Sequence, residues 1–334
     1  MSKKFFLLAC TCLILFLTGC SFINTVGPKS TVKVFTTLDK SFVEALCSKF
    51  SDGLPIENKI TFEILNKENE LSQADCIIGE ATFLQQKSAE GSLQRIHAEF
   101  ADLLPEELKD PDEKWITVFY DPAVILVNQA YSRKVGQQQI LHWTDLPKQT
   151  GAQIVMENLS DNESTVMFLA AMSSRMGQHE FIDYFKQIRP LIKQYAKFPI
   201  TPVRMATTGD ADIAITRRSY VFKYLQNDFP AYILIPEEGT PVNRYGIGVM
   251  QNSKKQNEIA AFVNWVLQSS EARTVLMTTR SGYLPVLPQG EKGQAVTTNA
   301  LWTNSFYKNK QALEKLAEEW LREIRLAGAE EEKK

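Results

Sequence analysis

Two apolar, β-rich pieces stand end to end at Trp115–Tyr120 and Val124–Val127, separated by Asp121-Pro122. Proline removes a ladder donor and keeps the residue before it out of the helical region, so a sheet changes character at this point. A chain interrupted in this way is expected to cross here from one sheet-centred body to another. Tyr232–Ile235, the turn-rich run Pro236-Glu237-Glu238-Gly239-Thr240-Pro241 and the apolar Gly246–Met250 read as the return crossing, where glycines allow close backbone approach. The expected layout is two discontinuous lobes, residues 31–120 with 246–285 and residues 121–245, joined by two crossover hinge strands. Helices in residues 286–334 are assigned to neither lobe by the sequence alone.

Both lobes read as α/β, each a mixed sheet flanked by helices. Val32–Phe35 is a short strand, and Val43, Leu46 and Phe50 then share one helical face. Ile60–Ile64 alternates as a second strand, and Cys76-Ile77-Ile78 before Gly79 is a short buried run suited to a parallel sheet. Past the crossing come a strand at Ile154–Met156, helices through Phe168–Met176 and Glu180–Ile188, and a strand ending near Thr216. Ile259, Phe262, Val263, Val266 and Leu267 define one further helical face, and Leu313, Leu316, Ala317, Trp320 and Ile324 another.

The N-terminus sets the expected compartment. Lys3 and Lys4 precede an apolar run, Phe5–Leu17, too short to stay in a bilayer as a spanning helix. Residues 1–19 read as a lipoprotein signal peptide, because Leu17-Thr18-Gly19-Cys20 resembles the bacterial lipobox, and Cys20 is the expected lipidation site. Residues 20–30 follow as a tether rich in polar and turn residues. The chain has 37 Lys and Arg against 39 Asp and Glu, and without Lys3 and Lys4 the balance is −4. There is no basic stripe of the kind nucleic acid requires. Beyond the leader and Cys20 only Cys47 and Cys76 remain, both in apolar segments, where they read as small buried hydrophobes or as one disulfide. His97, His142 and His179 lie far apart, and no nucleophile elbow, Ser/His/Asp order or glycine-rich phosphate loop accompanies them. Neither an enzyme nor a cofactor-holding or metal-holding protein is expected.

A set of ordered segments carries a resemblance. VFTTLDK (34–40), ADCIIGEATFLQQKSAEGSLQRI (74–96), WITVFYDPAVILVNQ (115–129), HWTDLP (142–147), PEEGTPVNRYGIGVM (236–250), the helix at 255–268 and SSEAR (269–273) follow the order of the type 2 periplasmic solute-binding proteins of ABC importers. The chain most resembles the branch that holds iron(III), hexose-phosphate and aminoethylphosphonate binders. The resemblance implies a monomer that closes two lobes over a small solute and delivers it to ABC permease and ATPase subunits. It implies an extracytoplasmic location, with the membrane reached through a lipid on Cys20.

Candidate ligand-binding residues follow from strand ends. Thr36 and Thr37 leave the first strand before a helix, where they contact ligand oxygens; in the alternative, Thr37 or Asp39 simply caps that helix. Gly79, Glu80 and Thr82 hold the same place after the third strand, as a ligand loop or a plain turn. Ser164 and Thr165 open an apolar helix after a polar loop containing Asp161 and Glu163, as an anion site or an N-cap. Arg217, Arg218, Ser219 and Tyr220 come at the next strand end, with one arginine expected to face the ligand unless both pair with acids such as Asp210 and Asp212. By the resemblance, iron binders carry two adjacent tyrosines here, whereas this chain offers Tyr220 alone beside arginines. A small organic phosphate or phosphonate is therefore the first expectation, with Tyr220 an iron ligand in the alternative. A sensory or structural lipoprotein reusing the fold is the remaining one.

Overall fold

The computed structural model describes residues 30–136, 140–160, 163–224, 230–278, 281–287, 301–302 and 309–327. The leader, Cys20 and the tether up to residue 29 lie outside the described residues, as do Asp161 and the tail from residue 328. In chain order the strands are β1 (Ser30–Thr36), β2 (Ile60–Leu65), β3 (Cys76–Glu80), β4 (Leu93–Gln94), β5 (Trp115–Asn128), β6 (Ile154–Glu157), β7 (Ile192–Ala196), β8 (Ile213–Arg217), β9 (Ala231–Leu234), β10 (Thr240–Met250), β11 (Leu284–Pro285) and β12 (Leu301–Trp302). Ser30 already belongs to β1, where its hydroxyl donates to Glu258 at 2.6 Å, so the last residue assigned to the tether is part of the folded body.

The main path through the sheet runs β2-β1-β3-β10-β5-β8-β6-β7. In the first lobe β1 is parallel to β2 and β3, placing Val34 opposite both Ile64 and Cys76. β10 lies antiparallel to β3 on one side and to β5 on the other. In the second lobe β5 is flanked by β8 and β9, both antiparallel to it, and β6 is parallel to β7 and β8.

β5 is one strand of 14 residues, all buried, rather than the two pieces expected from Asp121-Pro122. The register explains why the proline is tolerated. Residues up to Pro122 pair with β10, and Ala123 onward pair with β8, so the missing N–H falls where the strand changes neighbours. β10 makes the return beside it, with Asn243 opposite Asp121 and Val242 opposite Pro122. Both crossings therefore pass through a single point of the fold.

Local signals account for most helices. Asp39 caps the Lys40–Asp52 helix by accepting from the Ser41 N–H at 3.0 Å, which leaves Thr37 outside the cap. Asn128 caps Gln129–Val135 by accepting from the Ala130 N–H at 2.8 Å. The Gln256–Gln268 helix buries its five expected apolar residues in the first lobe, where Phe262 meets Phe50 edge-on at 5.3 Å. The C-terminal helix, Lys310–Trp320, packs on the Glu163–Met176 helix and so joins the second lobe. Its Trp320 is fully buried and lies edge-on to Tyr195 at 5.5 Å. Trp143 is likewise buried, its indole N–H donating to the Gly239 carbonyl at 3.0 Å.

Gly246 has a steric reason. A Cβ there would lie 2.5 Å from the Ile116 carbonyl oxygen and 2.9 Å from Leu84 Cδ1, so only glycine lets β10, β5 and the Ala81–Ala89 helix meet this closely. Cys47 and Cys76 are free and buried in one apolar cluster, not joined as a disulfide. Burial pushes the pKa of both thiols up.

Candidate functional site

The carboxyl ends of β1, β3, β6 and β8 are where parallel strands of the two lobes stop, and side chains beyond such ends converge at a crevice. Two small hollows lie here and share Ser164 and Asn243. The first has a cavity volume of about 30 Å³ and is walled by Asp121, Glu157, Thr165, Phe168, Thr216 and Arg217 among others. The second, about 20 Å³, takes Glu80, Ala81 and Thr82 from the first lobe and Ser164 and Met167 from the second. Such volumes hold one or two waters, so a solute the size of a phosphate ester enters only if the lobes part. A larger hollow of about 430 Å³ lies on the first lobe around Arg95, His97, Glu99 and Lys109, but no parallel strand ends converge there.

Three candidates, Ser164, Thr165 and Arg217, line the second-lobe side of the cleft, and Tyr220 lies next to Arg217 without lining either hollow. Ser164 and Thr165 stand in the first turn of the Glu163–Met176 helix, both buried. The Ser164 hydroxyl accepts from the Asn243 amide at 2.6 Å, tying this helix start to the return crossing. Arg217 ends β8, and its guanidinium lies 3.4 Å from a Glu157 oxygen and 5.4 Å from the centre of the Tyr220 ring. Burial works against the Arg217 charge, but Tyr220, Glu157 and Tyr245 outweigh it and hold its pKa above the ordinary arginine value. Tyr220 stands beside Arg217, and burial pushes its phenol up to about 12 with Arg217 pulling the other way.

Arg218 and Ser219 are engaged elsewhere. Arg218 opens the Arg218–Tyr224 helix, donates to the Gly282 carbonyl and lies 4.1 Å from the Phe222 ring centre. The two arginines thus straddle a strand-to-helix junction and point to different places. Ser219 donates through its backbone N–H at 3.0 Å and its hydroxyl at 2.6 Å to the two oxygens of Asp121. Asp121 is fully enclosed on the crossing strand, and burial raises its pKa from 3.8 to about 6, against the pull of Arg217 and Ser219.

On the first-lobe side, Glu80 and Thr82 line the second hollow. The Thr36 hydroxyl donates to the Ile78 carbonyl at 2.8 Å and accepts from the Leu38 N–H at 3.0 Å, so it closes the strand-end turn. Thr37 is exposed and packs its hydroxyl over Gly79, where a Cβ would come within 2.9 Å of it. Neither Thr36, Thr37 nor Gly79 lines either hollow.

Among the polar lining residues, sequence reasoning missed five: Asp121, Glu157, Thr216, Asn243 and Arg244. Asp121 was legible only as the residue before a proline, and Glu157 only as the first polar residue after an apolar strand. Among the described residues no group of three His, Cys, Asp or Glu could hold a metal ion, and no helix is long and apolar enough to cross a membrane.

Comparison with known proteins places this geometry. The sequence profile of the bacterial extracellular solute-binding proteins matches residues 72–310. Iron uptake protein A1 of Synechocystis sp. is 22% identical over 290 residues, covering 79% of this chain and 78% of the relative. The structure is similar to the periplasmic binding protein AfuA of Actinobacillus pleuropneumoniae, with fructose-6-phosphate bound, at a TM-score of 0.66 and 19% identity, covering 90% of this chain and all of that one. It is also similar to iron-bound HitA of Pseudomonas aeruginosa, at a TM-score of 0.64 and 17% identity, covering 89% and 98%. The shared fold is the two-lobed α/β architecture of periplasmic binding proteins.

Proposed function

Because this chain belongs to the bacterial extracellular solute-binding protein family, whose members serve ABC importers with small-molecule solutes, we propose that it captures an organic phosphate or phosphonate between its lobes. The observation that carries this reading is the pairing of two anion-seeking features across one cavity. The first turn of the Glu163–Met176 helix presents Ser164 and Thr165 from one wall, and Arg217 presents its planar fork from another. Helix N–H groups, hydroxyls and guanidinium together match the oxygens of a tetrahedral anion, and a dry cleft strengthens each contact. Parting of the lobes admits the solute, and closure through the Asp121 and Asn243 crossing presents one closed shape to the permease. The solute must therefore favour the closed state energetically.

A ferric-iron reading has one observation in its favour. The phenols of Tyr245 and Tyr283, with ring centres 5.4 Å apart, and that of Tyr220 gather near Glu80. Arg217, 5.4 Å from the Tyr220 ring, opposes a trivalent cation by direct repulsion, and on that ground we rank iron second. Thermal-shift screening with phosphorylated metabolites, phosphonates and ferric salts separates the two. Stabilisation by iron alone, with a tyrosinate charge-transfer colour, refutes the anion reading.

Membrane anchoring through Cys20 belongs to the same proposal, supported by the basic and apolar leader and the Leu17-Thr18-Gly19-Cys20 sequence. Cys20→Ala is expected to move the protein from the membrane fraction to the soluble one. The protein then acts as a monomer that returns its solute chemically unchanged.

A further inference from the structure

Glu157 is a poor partner for a bare anion. It ends β6 with 7% exposure and lines the main cavity. Its Oε2 takes the 3.4 Å contact from Arg217, while its buried Oε1 has no hydrogen-bond partner. Thr216, one residue before Arg217 and 4% exposed, lines the same cavity, and its hydroxyl is also buried without a partner. A buried polar atom without a partner is unfavourable, and a cavity lined by two of them offers both to a solute.

The chemistry of the two atoms specifies what they can receive. An ionised carboxylate only accepts hydrogen bonds, and a phosphate dianion only accepts them too. Inorganic phosphate or a simple alkyl phosphate held at Arg217 and Ser164 leaves Glu157 Oε1 unpaired and sets two like charges side by side. A solute whose carbon body carries a hydroxyl or an ammonium supplies the missing donor and relieves that repulsion. The Thr216 hydroxyl, able to donate and accept, serves either end of such a solute.

We propose that Glu157, assisted by Thr216, selects organic anions that bear a hydroxyl or ammonium donor beside the anionic head and rejects donor-free anions. This rests on the organic-anion reading above, and it assigns to the cleft a discriminating wall as well as an attracting one. Arg217 belongs to both walls, because it holds Glu157 in place and faces the anion.

The test is titration calorimetry of the purified full-length protein with two matched pairs: 2-hydroxyethyl phosphate against ethyl phosphate, and 3-aminopropylphosphonate against propylphosphonate. In the wild type the donor-bearing member of at least one pair is expected to bind roughly 10- to 100-fold more tightly, the worth of one charge-assisted hydrogen bond. In Glu157→Gln, which keeps the side-chain shape without its charge, that ratio should fall below about threefold. A merely structural role for Glu157 would weaken both members alike. Thr216→Val, an isosteric change that removes an unpaired hydroxyl, reads the same ratio if the Gln variant fails to fold. Equal affinity within both wild-type pairs, or a parallel loss in the variants, overturns the donor selection and leaves the anion reading intact. Failure of all four compounds to bind overturns both.

Discussion

Replacing Asp121 by Asn should remove a defined share of the pH dependence of stability. The Asp121 carboxyl is fully enclosed on β5, and its pKa rises from 3.8 to about 6. A folded-state pKa raised above the unfolded one means that the folded protein holds the proton longer. The favourable contribution is therefore complete below about pH 4 and is lost as pH climbs through 6. A difference of about two pK units corresponds to ~3 kcal/mol. Asn can keep both local contacts, since its carbonyl accepts from the Ser219 N–H and its amide donates to the Ser219 hydroxyl, but it does not ionise. Denaturant unfolding of both proteins between pH 4 and 7.5 gives the difference directly, and subtraction cancels every other titrating group. Stability of the variant relative to wild type should rise by ~3 kcal/mol across that window, with most of the change between pH 4 and 6. A flat difference would show that Asp121 ionises freely in the folded state, and the enclosed crossing point would have to be abandoned.

Arg217→Ala should weaken solute affinity by about 2 kcal/mol or more, roughly 30-fold, whereas Arg218→Ala should change it less than about threefold and act on stability through its Gly282 contact. Equal losses in calorimetry would contradict the separate directions of the two side chains. Gly246→Ala puts a Cβ 2.5 Å from a backbone oxygen that no rotamer can move, so thermal unfolding should report a loss of roughly 3 kcal/mol. A neutral result would mean that β5 and β10 sit further apart. Cys47 and Cys76 should resist thiol reagents in the native protein and both react once it is unfolded, a readout that fast native labelling or a lack of free thiol would refute.

What sequence determined by itself was local in origin. Period-two and period-3.6 apolar patterns located β2, the Lys40–Asp52 helix and the Gln256–Gln268 helix within a few residues, because burying one face is a constraint each segment meets alone. The two crossings were legible for the same reason, as a proline inside one apolar strand and glycines in the other. Only tertiary structure decided that β5 runs unbroken, since the cost of a missing donor depends on which neighbour faces Pro122. It alone divided Arg217 from Arg218, whose identical chemistry is directed by a strand ending and a helix beginning between them. It alone brought Glu157, Thr216 and Asn243 to the same cavity from three separate strands. Polar residues that meet across a cleft share no period along the chain, and their partners are chosen by the sheet order that places strand ends side by side.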